Sequence, residues 1–259
     1  MEKQLSKLIK EGREGEAKEF LQNNPTLNVN WQNQEGWTAL HWACGNGGDG
    51  ILLLLLAHPD IVLNLKTNGG RTPFYVACRQ AHLSCVRLLL KDSRVKVNEP
   101  SSGGHTPLRS ATFQGHTEVI RWWIASGREM DLGQPGNDRT DAIEIAERCQ
   151  VKALAVLLRK FKENPAEARH EVRVELGCRD ELAAEVFALV VFVSDGLLEV
   201  RRRTQNKKTL PNRARFFRIT GLLPLELQMI LCYRLVGSAK EVILGKVSEA
   251  AFRDLAQRI

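Results

Sequence analysis

The sequence lacks any pair of cysteines spaced Cys-x-x-Cys, although six cysteines (Cys44, Cys78, Cys85, Cys149, Cys178 and Cys232) are scattered over its 259 residues. That absence counts against a zinc site and against a disulfide-stapled secreted scaffold, and it points to a reducing compartment, cytosol or nucleus. Long apolar runs are missing too. The two most apolar stretches, 51–57 and 186–193, fall well short of the ~20 residues a membrane helix needs. The N-terminus, Met1-Glu2-Lys3-Gln4, is charged and has no apolar segment of a secretory leader, so a soluble chain is expected. The glycines near 45–50, 69–70 and 103–104 are not followed by the Lys-Ser or Lys-Thr of a phosphate loop. Nucleophile-elbow, paired-carboxylate and kinase signatures are absent as well. The expectation is a binding protein and not an enzyme, with no cofactor and no metal.

Acidic residues are missing from one segment in particular. Residues 201–218 hold eight basic side chains (Arg201, Arg202, Arg203, Lys207, Lys208, Arg213, Arg215 and Arg218) and no Asp or Glu. Set against a net charge of +7, they leave −1 for the rest of the chain. The basic character therefore belongs to one segment, read as an exposed linker. A localisation signal, or contact with nucleic acid or anionic lipid, is the alternative.

What the sequence does contain is a period. Thr38, Thr72 and Thr106 recur at intervals of 34 residues, each two residues after a glycine (Gly36, Gly70, Gly104). Ala43, Ala77 and Ala111 follow in the same register, and Asn30, Asn64 and Asn98 precede it. Glycine permits the positive φ of a tight turn. Threonine then caps a short helix, with Pro73 and Pro107 in the first turn, where the missing N–H costs nothing. The small alanine allows close approach of a neighbouring helix. A second helix follows in each unit, with apolar residues at helical spacing: Ile51, Leu52, Leu55, Leu56; then Cys85, Val86, Leu89, Leu90; then Val119, Ile120, Trp123, Ile124. No unit buries that stripe alone, so the units must stack.

These units resemble the ankyrin repeat. Its Thr-Pro-Leu-His-x-Ala signature is matched by 38–43, 72–77 and 106–111, and its downstream Gly-His pair by Gly115-His116, by Ala81-His82 and loosely by Gly47-Gly48. The resemblance implies an all-α solenoid of helix-turn-helix repeats with β-turn tips, at about 4–30, 34–64, 68–98, 102–132 and 137–160. The first and last units are degenerate: Asp141 to Ala146 replaces the signature one residue out of register, and Arg139 stands where the turn glycine belongs. It also implies a protein partner held by the turn tips and the exposed face of each first helix. Carried onto this chain, the tips are Trp37, Arg71 and His105, and the outward first-helix positions are Trp42, Val76, Arg79 and Phe113. Aromatic and Arg side chains dominate interface hot spots, although each of these could instead pack against the next repeat. His41, His82 and His116 are read as structural hydrogen-bonding residues before metal ligands.

Beyond the array (1–162), the expected organisation is a helical extension (163–200), the basic linker (201–218) and a C-terminal helical element (219–259). In the last, Leu223, Leu227, Leu231 and Leu235 stripe one helical face behind Pro224 and Glu226. This resembles the start of an F-box, as found after ankyrin arrays in the PRANC proteins, and so implies a Skp-type adaptor and a role as substrate receptor of a cullin-type ubiquitin ligase. Leu222-Leu223-Pro224-Leu225 is also similar to part of a SOCS box, though Glu226 replaces its second proline. A plain amphipathic helix is the third reading.

Overall fold

The computed structural model describes residues 1–134, 136–137, 139–178, 183, 186–191, 228–229, 231–232 and 251. The chain forms two compact units, Met1–Val172 and Arg173–Ile259.

In the first unit, every regular element among the described residues is a helix. The helices come in pairs: α1 (Glu2–Lys10) with α2 (Glu14–Asn23), α3 (Ala39–Asn46) with α4 (Asp49–Ala57), α5 (Pro73–Gln80) with α6 (Leu83–Lys91), α7 (Pro107–Phe113) with α8 (Thr117–Ser126), and α9 (Ala142–Arg148) with α10 (Lys152–Glu163). A further helix, α11, spans Pro165–Glu175. First helices stack in one row, α1 on α3 on α5 on α7 on α9, and α2, α4, α6 and α8 stack in a second.

Local chemistry fixes where four of the five pairs begin. The hydroxyl oxygens of Thr38, Thr72 and Thr106 accept from the backbone N–H groups of His41, Tyr75 and Arg109, which satisfies a donor the helix start leaves orphaned. In the degenerate last repeat Asp141 does the same work, accepting from the N–H groups of Ile143 and Glu144. The first helices end where residue 47 or 81 turns left-handed, at φ 73° for Gly47 and φ 58° for Ala81. α4 has no side-chain cap of its own, and Glu14 of the preceding unit supplies one by accepting from Ile51 N–H at 3.1 Å.

The core runs between the two rows. Ala43, Ala77 and Ala111 have no exposed surface, and neither do Leu52, Leu55, Val86, Leu89, Ile120 and Trp123. Each large aliphatic side chain so buried contributes about 1.5–3 kcal/mol. Trp123 meets Phe74 edge to face, ring centres 5.0 Å apart, and its indole N–H donates to Glu129 C=O. At the end of this unit, Ala168 and Val172 of α11 are buried and Arg169 donates to the carbonyl of Ile124.

Repeats are also sewn together by polar bonds at the repeat period. Asn30 donates to Asp60 C=O and accepts from Val62 N–H; Asn64 does the same with Arg94 and Lys96; Asn98 accepts from Asp131 N–H. Arg94 donates to Leu56 C=O, and Arg128 donates to the carbonyls of Leu90, Asp92 and Val95. Turn tips are joined through backbone: Asn68 N–H donates to Glu35 C=O and Ser102 N–H to Gly69 C=O. Gly70 must be glycine on two counts. Its φ is 72°, and a Cβ there would lie 2.3 Å from the Ser102 nitrogen.

In the second unit Ala183, Phe187, Ala188, Val190, Cys232 and Ala251 form a buried apolar cluster flanked by Val186, Val191 and Met229. Among the described residues no helix is long and apolar enough to cross a membrane.

Candidate functional site

A groove of about 420 Å³ runs along α5. Trp37 stands on its α3 side, Gln114 and His116 on its α7 side, and Arg71, Val76, Arg79 and Gln80 come from α5 and the turn before it. Of the seven positions expected at the binding face, Trp37, Arg71, Val76 and Arg79 are thereby brought together. Trp42 joins them through Trp37: the two indoles stack with centres 4.3 Å apart. The ammonium of Lys10 lies 5.0 Å over the Trp42 ring, a cation–π contact from the first unit of the array. Trp37 and Trp42 are both half-buried.

Val76 overturns the expectation that it faces outward. It is 4% exposed and forms the floor of the groove. The reason lies on the neighbouring helix, where Gly45 has no side chain and a Cβ added there would meet a Val76 methyl at 3.4 Å. The same gap accommodates the Trp37 ring, at 3.6 Å. Glycine on one helix thus admits both a valine and a tryptophan from its surroundings.

His105 and Phe113 belong to the next repeat along. Phe113 is 52% exposed, with the Arg109 guanidinium 5.0 Å from its ring centre. His105 is half-buried beside Arg109 and Arg139. Desolvation first, and then these two positive charges, push its imidazole below the ordinary histidine range. Arg109 was not expected at the site, yet it falls 34 residues after Tyr75 and 68 after His41, so its register carried the signal. Lys10 had no such signal, because it lies in the degenerate first unit.

The three histidines do structural work, and they reach farther than one turn. His41 Nδ1 lies 2.8 Å from the Thr38 hydroxyl, and its Nε2 lies 3.0 Å from the carbonyl oxygen of Arg71 in the next repeat. His82 Nε2 lies 2.8 Å from Gly45 C=O, and His116 Nε2 lies 3.0 Å from Arg79 C=O. The backbone carbonyls of both groove arginines are therefore clasped, and both residues line the groove. Neither guanidinium has a carboxylate partner among the described residues. No cluster of three His, Cys, Asp or Glu side chains able to hold a metal occurs among those residues. Cys44, Cys78 and Cys85 are buried, and desolvation pushes the Cys85 thiol up to about 12, far from a reactive thiolate.

Of the C-terminal candidates, Leu231 is helical and half-buried. Leu223, Pro224, Glu226, Leu227 and Leu235 lie outside the described residues, as do Arg201, Arg202, Arg203, Lys207 and Lys208 of the basic segment.

Comparison with known proteins bears on the same residues. A family model described as ankyrin repeats (3 copies) matches residues 5–101 and, in a second and overlapping match, 60–134. No curated protein matches the chain.

Proposed function

The chain belongs to the ankyrin-repeat family, and from that premise we propose that it is a scaffold or adaptor that holds a protein partner against the first-helix face of its array. The observation that carries this reading is the groove along α5, where the Trp37–Trp42 stack stands beside the side chains of Arg71 and Arg79. Stacked indoles offer a large rigid contact area that loses little conformational freedom on binding, and guanidinium groups with no carboxylate partner among the described residues offer forked donors. Phe113 extends the apolar surface toward the next repeat. The role is to hold and not to transform, and the fold by itself does not name what is held.

Affinity purification with the intact chain and with the double variant Trp42→Ala, Arg79→Ala tests this. The variant is expected to keep its far-ultraviolet helical signal and to lose at least about tenfold in partner recovery, the scale of losing one hot-spot side chain. Equal recovery by both proteins would remove the reading. The same experiment, run with and without residues 219–259, addresses the ligase alternative: recovery of a Skp or cullin subunit by the intact chain alone supports an F-box-like element, and failure to recover one ends that alternative.

A further inference from the structure

We propose that the occupant of the α5 groove is an extended, acidic peptide segment of the partner, its carboxylates taken by Arg71 and Arg79. This rests on the protein-binding reading and names the chemistry of the partner. Three observations converge on it. First, the groove is positive and unneutralised: no Asp or Glu lines it, and its two guanidinium groups have no carboxylate partner among the described residues. Further cationic side chains lie on the same face, Lys10 at one side and Arg139 near His105 at the other. The first unit's charge is otherwise mixed, so this face is a local field and not a consequence of net charge.

Second, the groove has a fixed direction. His41 and His116 hold the Arg71 and Arg79 carbonyls, so the two side chains project from fixed points, one in the turn before α5 and one near its C-terminal end. Arg79 lies six helical residues beyond Pro73, about 9 Å at 1.5 Å rise per residue, and Arg71 stands two residues before that helix start. A strand-like peptide advances about 6.6 Å every two residues, so glutamates at alternate residues share one side of an extended chain and reach both arginines. Third, the remaining lining suits a peptide better than a nucleic acid. Gln80 and Gln114 carry side-chain amides, each both donor and acceptor. A peptide backbone presents both kinds of group, whereas phosphate only accepts. Trp37 already has one ring face against Trp42, so it does not form a two-sided stacking slot.

The test is fluorescence anisotropy with the full-length protein and a fluorescein-labelled peptide of alternating glutamate and leucine. The comparison probes are the same peptide with glutamine for glutamate and an oligothymidylate of equal length. The acidic peptide is expected to bind at least about tenfold more tightly than the glutamine peptide, and Arg71→Glu with Arg79→Glu to weaken it by a further factor of about a hundred, near tenfold for each charge-assisted pair lost. A lysine-leucine peptide should gain affinity for that variant. Arg71→Gln with Arg79→Gln, checked by circular dichroism, repeats the measurement if charge reversal disturbs folding. The basic segment at 201–218 is common to all the proteins, so binding that survives the groove substitutions belongs to that segment and overturns the proposal. Equal affinity for the glutamate and glutamine peptides overturns it, as does oligothymidylate binding that the groove substitutions abolish. Should these fail while the Trp42→Ala, Arg79→Ala variant still loses its partner, the scaffold reading stands and only the acidic peptide is lost.

Discussion

An imidazole shut away from water is cheaper to keep neutral than to charge, and His41 is such a group. It has no exposed surface, and desolvation lowers its pKa to about 4, against a smaller raising effect from the Arg71 and Leu65 backbone. In the unfolded chain the same ring titrates near 6.5. The folded-state value is the lower one, so the unfolded chain takes up this proton first as pH falls. Stability from His41 is thus complete above about pH 6.5 and is lost progressively down to about pH 4. The expected loss over that window is ~3 kcal/mol. Urea unfolding of the native chain and of His41→Gln, measured from pH 7.5 to pH 4.5, isolates it. The native midpoint should fall more steeply than that of the variant, and parallel curves would assign the acid sensitivity to other groups. Residue-level reading of the sequence found this histidine and its structural role. It did not find the reach to the Arg71 carbonyl, because a bond across 30 residues exists only once two repeats are stacked.

Each first helix has to stop in a left-handed residue before the second can turn back, and the array meets this demand unevenly. Gly47 and Gly115 take φ 73° with no Cβ to crowd the carbonyl, whereas Ala81 takes φ 58° with one. An L-residue in that conformation costs roughly 1–2 kcal/mol, partly offset by the extra freedom glycine has in the unfolded chain. Ala81→Gly is therefore expected to stabilise the protein by about 0.5–1 kcal/mol, read as a higher denaturation midpoint at unchanged slope. The opposite sign would mean that Ala81 gains more from its methyl group than it loses in its backbone. The sequence pointed to this position directly, as the alanine standing where the flanking repeats have glycine. The element boundaries were legible for the same reason: threonine, proline and glycine act within one turn of where they stand. Val76 was not legible, since its burial depends on Gly45 of a different helix.

Across the first unit, threonine, alanine and asparagine in one 34-residue register were enough to foretell paired helices in stacked repeats. The groove was only half legible. Trp37, Arg71 and Arg79 could be named from their places in the repeat; Gln80 and Gln114 keep the same 34-residue register but were not singled out, and Lys10 reaches the site through stacking that no local pattern encodes. The arginine clasps were missed although they too keep the period, with Arg94 and Arg128 holding Leu56 and Leu90. Their partners are backbone carbonyls, which leave no mark on a sequence.

Those clasps, the asparagine bridges and the histidine bonds share one geometry: each ties a repeat to its neighbour. A body sewn this way behaves under load like a zip. Tension applied at the two ends falls on the outermost seam, and parting one seam leaves the next one whole. Force spectroscopy on residues 1–178, held by their termini, should therefore show a ladder of small yields and not a single rupture. Each yield should release about 110 Å of contour, which is 34 residues at full extension less the thickness of one folded layer. One large step would mean that the seams part together.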